Sequence, residues 1–221
     1  MADRVALPHR APSKISKDTL TAGAILLVLA VAARFLYHYA FPYFGFDPKQ
    51  FDYYWPHRYR LILHISGGIL ALTCGPFQFW SGLRRRAMNF HIWTGRLYLA
   101  GVAIGATGAF LMGVFTSPKS FGIALICMAS VWILTSGIAL AAILRGLVNL
   151  HKEWMVRSYL VTFGFVTFRL LNDNLPFLVQ RLGGSPSDSL ANLTWVCWFV
   201  PLAIYEIILQ SRRIFGAKQP A

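Results

Sequence analysis

From about Ala22 to Phe41 the chain is apolar with a single charge, Arg34. Five runs of the same kind follow, near Leu61 to Trp80, Trp93 to Phe115, Phe121 to Leu144, Trp154 to Phe177 and Leu190 to Leu209. A run of about 20 such residues crosses a bilayer as a helix. The sequence therefore predicts an all-α integral membrane bundle of about six transmembrane helices over 21–210, with basic tails at 1–20 and 211–221. Ala30, Val31 and Ala32 look like a signal-peptide cleavage site, but the apolar character continues through FLYHYAFPYF, so the first run reads as a span.

The composition agrees. Of 221 residues, 56% are hydrophobic and 13% charged, whereas a soluble domain carries about 25% charged residues. A soluble enzyme is excluded. The net charge of +13 would suggest a nucleic-acid partner in a soluble protein, but here the basic residues sort by loop. Arg4, Arg10, Lys14 and Lys17 precede the first span. Arg84, Arg85 and Arg86 lie in the second loop, Arg145 and Lys152 in the fourth, and Arg212, Arg213 and Lys218 after the last span. The positive-inside bias then puts both termini in the cytoplasm, with no nucleic acid involved. The first loop, Phe41 to Arg60, has the aromatic composition of an outer interface.

The fifth span is not uniformly apolar. At about 100° per residue, His151, Ser158, Thr162, Arg169 and Asp173 fall along one line of its helix. A charged group facing hydrocarbon costs about 2.5–3.5 kcal/mol, so this stripe is expected inside the bundle, with Arg169 and Asp173 as an intrahelical ion pair. A substrate pathway is the functional alternative for those two residues. Near the last span, Glu206 and Arg213 read as a snorkelling pair.

The third and fifth spans open alike. His91 to Leu99 reads HIWTGRLYL and His151 to Leu160 reads HKEWMVRSYL, so each carries W-x-x-R-x-Y-L just after a His, with one residue of spacing different. This suggests a degenerate helical-hairpin repeat. It places His91 and His151 at matching depths on parallel helices, where they either snorkel at the interface or face each other. His9, His38 and His57 fall in wet interfaces. His64 lies inside the second span on the face of Gly68, Ala71, Gly75 and Gln78, as a hydrogen-bonded core residue or a ligand. It should be about 25 Å from the other two at 1.5 Å per residue, so the three do not form one metal centre. Gly101 and Gly105, with Gly67, Gly68 and Gly75, allow close helix approach. Cys74, Cys127 and Cys197 lie within spans without C-x-x-C spacing, which argues against a disulfide or zinc framework. The phosphate-loop, nucleophile-elbow, zincin and dinucleotide motifs are absent.

GPFQF at Gly75 to Phe79, H-x-x-x-G-R-x-Y at His91 to Tyr98, WM-x-RS-Y at Trp154 to Tyr159 and TFR at Thr167 to Arg169 resemble a family of predicted bacterial multi-pass membrane proteins, domain-of-unknown-function family 2306. The resemblance runs from Leu61 to about Pro176 and departs at Ile92, where Arg is expected. It implies the membrane architecture and no established reaction. A weaker resemblance is to two-haem, ascorbate-reducible membrane cytochromes, which hold b-type haem between His residues on two helices. That likeness implies a haem b between His91 and His151, with Arg96 and Arg157 near for propionates. No His lies in the fourth span, so one haem at most is expected, with His64 short of an outer partner. The alternative is a non-redox binding or transport protein with an Arg-lined cytoplasmic site for anions or lipid phosphate. The expected partners are the bilayer and an anionic lipid or a quinone.

Overall fold

A computed structural model describes residues 17–181 and 185–216; His9 and most of the basic N-terminal tail, with Lys218, lie outside them. Among the described residues all regular structure is helical. The first helix, α1, is Lys17–Phe35, continued by a π turn at Leu36–Ala40 and a 3-10 turn at Phe41–Gly45, where Pro42 stops the α-helical ladder. After the short α2, Pro48–Phe51, come α3, Arg58–Gln78, and the short α4, Ser81–Arg86. Three long helices follow, α5 Met88–Phe115, α6 Lys119–Leu144 and α7 Val148–Asn174, then the short α8, Pro176–Gln180, and α9, Pro186–Gly216.

Among the described residues, five stretches are long and apolar enough to cross a membrane: Thr19–Gly45, Pro48–Gln78, Met88–Phe115, Lys119–Leu144 and Asp188–Gly216. The remaining expected span, the fifth, is α7, which has the length, with 27 residues giving about 40 Å at 1.5 Å each. Its polar stripe keeps it below the hydropathy of the others. The observed helices start before the expected spans, because interfacial residues such as Met88, Asn89 and Val148 extend the helix beyond the apolar run.

Successive long helices run antiparallel. Gly67 approaches Gly105 while His64 approaches Gly108, Gly113 abuts Gly122, and Trp132 meets Thr162 while Ala139 meets His151. Arg157 meets Glu206. Residues 17 and 216 therefore share one end, with Arg84, Arg145 and Arg212; this is called the arginine end. At the opposite, aromatic end, Phe51 is buried against Tyr43 and Trp55, with centroids at 5.1 and 5.6 Å. There Arg58 lies over Trp55 and Arg60 over Phe115, at 4.6 and 3.7 Å. In the segment expected as an interfacial belt, Phe51 is packed while Phe41, Phe44, Phe46, Tyr53 and Tyr59 stay exposed.

The tightest seam is α3 against α5. A Cβ on Gly67 would run into Gly105 backbone, and one on Gly108 into the backbone of His64. With little hydrophobic drive between helices in lipid, such approach supplies van der Waals contact and shared hydrogen bonds. Behind the seam, Trp132, Tyr98, Val161 and Ala106 form a fully buried core.

Candidate functional site

The buried polar groups of the bundle centre on α7. The Tyr98 hydroxyl of α5 lies 2.5 Å from Ser158 Oγ and 2.9 Å from Thr162 Oγ1. Ser136 of α6 adds a 2.6 Å contact to Ser158, and Trp132 Nε1 donates to Thr162 at 2.8 Å. The middle of the predicted stripe, Ser158 and Thr162, is thus fully enclosed and satisfied from two neighbouring helices.

This bond fixes the register of two parallel helices. Seven residues toward the arginine end from Tyr98 is His91, and seven from Ser158 is His151. Seven residues are two turns less 20°, so each His lies on the face of its bonded partner, about 10 Å further along. The extra residue in the second copy of the repeat now has a consequence. It puts Ser158 rather than Tyr159 opposite Tyr98, and Tyr159 turns to α3, donating to the Leu72 carbonyl at 3.3 Å and filling the space left by Gly75.

His91 and His151 are near enough for a charge on one to act on the other, and Arg84 is a third neighbour of His91. His151 Nδ1–H donates to the Ala139 carbonyl at 2.8 Å, which fixes the tautomer and leaves Nε2 with a free lone pair. His91 Nδ1 is enclosed and has no hydrogen-bond partner among the described residues. Gln78 of the GPFQF motif secures the start of α5, its Nε2 donating to Thr94 Oγ1 at 2.7 Å and to the His91 carbonyl at 3.3 Å. Gly95 leaves room for it, since a Cβ there would lie 3.0 Å from Gln78 Oε1.

The two arginines expected beside this pair are engaged elsewhere. Arg96 is exposed and lies 5.0 Å over Trp93, on the outside of the bundle. Arg157 is buried and turned to α9, with Nε donating to Glu206 Oε1 at 2.5 Å and Nη2 to Oε2 at 3.1 Å. Its Nη1 is 3.8 Å from Glu153, which in turn holds Arg213 at 2.6 Å. Glu206 therefore pairs with Arg157 rather than with Arg213, because the register of α7 on α9 outweighs neighbourhood along one helix. Arg84, which carries the charge next to His91, looked in the sequence like one more positive-inside residue.

His64 lies apart, as expected, in the aromatic half. Its Nδ1–H donates to the Gly105 carbonyl at 2.8 Å, and its ring meets the edge of Phe165 with centroids 4.8 Å apart. It lines a cavity of about 180 Å³ between the helices of that half. Arg169 lines the same cavity, and its guanidinium lies 5.9 Å over Tyr39. The expected ion pair with Asp173 is not formed. Asp173 is exposed and accepts from Asn172 Nδ2 at 2.9 Å, while no carboxylate lies within ion-pair distance of Arg169 among the described residues. Tyr39, in the π turn that follows α1, occupies the place beside Arg169. Nor do three or more His, Cys, Asp or Glu side chains gather as a metal site among the described residues.

The family described as "Predicted membrane protein (DUF2306)" matches residues 61–209. The chain belongs to that family. No curated protein and no solved structure matches it. The matched segment runs from the aromatic end of α3 into α9, so it contains His64, His91, His151 and the Tyr98–Ser158 lock, whereas α1 and the Phe41–Arg60 loop precede it.

Proposed function

We propose that this chain is a one-electron carrier of the bacterial inner membrane, with both termini cytoplasmic, that holds a b-type haem between His91 and His151. The observation that supports the reading is the register set by Tyr98 and Ser158, which brings His91 and His151 to one depth on parallel helices. The donor set fits. A His whose Nδ1–H is held by a backbone carbonyl, as His151 is by Ala139, has the orientation and basicity of an axial ligand. The His91 nitrogen left without a partner costs about 1–3 kcal/mol of desolvation, which ligation or a hydrogen bond to a bound group would offset. Arg84 supplies positive charge beside His91 for propionates, in place of Arg96 and Arg157. Bound there, the haem would supply reversible one-electron storage. The protein's part is to orient two imidazoles, keep water from them and balance charge.

The alternative, an Arg-lined anion or lipid-phosphate site, has less to stand on, since Arg157 is already neutralised by Glu206. The test is an absorption spectrum of protein purified from haem-replete cells. Low-spin Soret and α bands are expected, lost in His91→Leu and in His151→Leu but kept in His64→Gln. A colourless wild-type preparation overturns the haem reading in favour of the binding or transport class.

A further inference from the structure

The cavity of the aromatic half is not used by the pair at the arginine end, and its chemistry is specific. A carbonyl can only accept, so the bond to Gly105 places the His64 proton on Nδ1 and leaves Nε2 as an acceptor. Arg169, on the same cavity, is a donor with no carboxylate within ion-pair distance among the described residues. The two groups are about one helical turn apart along α7, roughly 6 Å at 1.5 Å per residue, because Phe165 abuts His64 and Arg169 follows four residues later. The rest of the lining is largely apolar and aromatic. An apolar cavity of about 150 Å³ takes up a benzene ring, so about 180 Å³ has room for one substituted six-membered ring.

We propose that this cavity binds the ring of a membrane-soluble quinol. One hydroxyl donates to His64 Nε2, and the oxygen across the ring accepts from Arg169. A para-dioxygenated ring offers a donor at one end and an acceptor at the other, matching the acceptor His64 and the donor Arg169 across an aromatic-lined space; a fatty-acid carboxyl carries the same two functions and is the competing ligand in the test.

Gly68 gives a test that leaves the fold alone. It lines the cavity, and a Cβ built on it meets nothing within 4 Å, so the side chain of Gly68→Leu starts without a clash and extends into the space the ring would take. The full-length protein in lipid nanodiscs is titrated with a decyl-tailed benzoquinol and followed by tryptophan quenching. The reporter is Trp132, whose ring is 5.4 Å from Phe165. Saturable quenching is expected in the wild type, at least tenfold weaker affinity in His64→Gln and Arg169→Gln, and only non-saturable partitioning in Gly68→Leu. His91→Leu should bind as the wild type does, which separates this site from the haem reading. Non-saturable quenching in the wild type overturns the proposal, as does equal affinity in Gly68→Leu. Saturable, Gly68-dependent binding of decanoate with none of the quinol would overturn it in favour of an acyl acid.

Discussion

Gly67 and Gly68 are neighbours in α3, and the structure gives them opposite fates on substitution by Ala. A methyl on Gly67 would overlap Gly105 backbone and lie 2.5 Å from the Gly101 carbonyl oxygen. These are backbone atoms, so nothing can swing aside and the two helices must part. Overpacking of this kind costs about 1–3 kcal/mol. Parting also stretches the 2.8 Å bond from His64 to the Gly105 carbonyl, and an interhelical bond in a membrane is worth about 0.6 kcal/mol and up to about 1.7. Against this, Ala is favoured over Gly in a helix by about 0.8–1 kcal/mol. The balance for Gly67→Ala is a loss of roughly 1–3 kcal/mol. At Gly68 only the propensity gain remains, so Gly68→Ala should be stabilised by up to about 1 kcal/mol. Unfolding in mixed micelles with increasing denaturing detergent should separate the variants, with the wild type between them. Coincident midpoints, or the reverse order, would refute the argument that α3 and α5 meet backbone to backbone at Gly67.

Reporter fusions at the C-terminus and in the Phe41 to Arg60 loop should be active in the cytoplasm and in the periplasm respectively; the converse pattern would invert the bundle. Arg157→Gln should cost about 1.5–3 kcal/mol, the worth of hydrogen bonds between charged partners, while Asp173→Ala, at an exposed position, should be no worse than Lys119→Ala. Melting temperatures of the three variants in detergent check that ranking. Tyr98→Phe removes two interhelical bonds but leaves Ser158 with Ser136 and Thr162 with Trp132. It should cost only about 1 kcal/mol in the same unfolding assay.

The helices could be read from the sequence because burial in lipid leaves a long local signature, about twenty apolar residues for each span. The membrane-buried stripe of α7 was also legible, since its period belongs to one helix, and Ser158 and Thr162 lie where that period puts them. What could not be read was which residue on another helix answers each polar group. Arg157 and Glu206 are 49 residues apart, and nothing local distinguishes that pairing from Glu206 with Arg213. Arg169 and Asp173 have the spacing of a helical ion pair, but the pair forms only if both face the same medium. Here Arg169 lies over Tyr39, and the exposed Asp173 is engaged by Tyr39 and Asn172 instead. The depth of His91 and His151 followed from their repeat, whereas the face they share depended on a one-residue offset whose meaning required Tyr98 to find Ser158.

The polarity of α7 bears on how the chain is made. Five stretches can leave the translocation channel for lipid on their own hydropathy, but α7 carries hydroxyls whose partners, Tyr98, Trp132 and Ser136, belong to helices synthesised before it. Docking on α5 and α6 would supply those partners as α7 enters the bilayer. Arg157 waits longer, because Glu206 emerges 49 residues later. The acid that reaches Arg157 from α7 itself is Glu153, one turn before it and 3.8 Å away in the folded chain. A ribosome stalled before α9 would thus leave a bundle that is inserted but not yet closed.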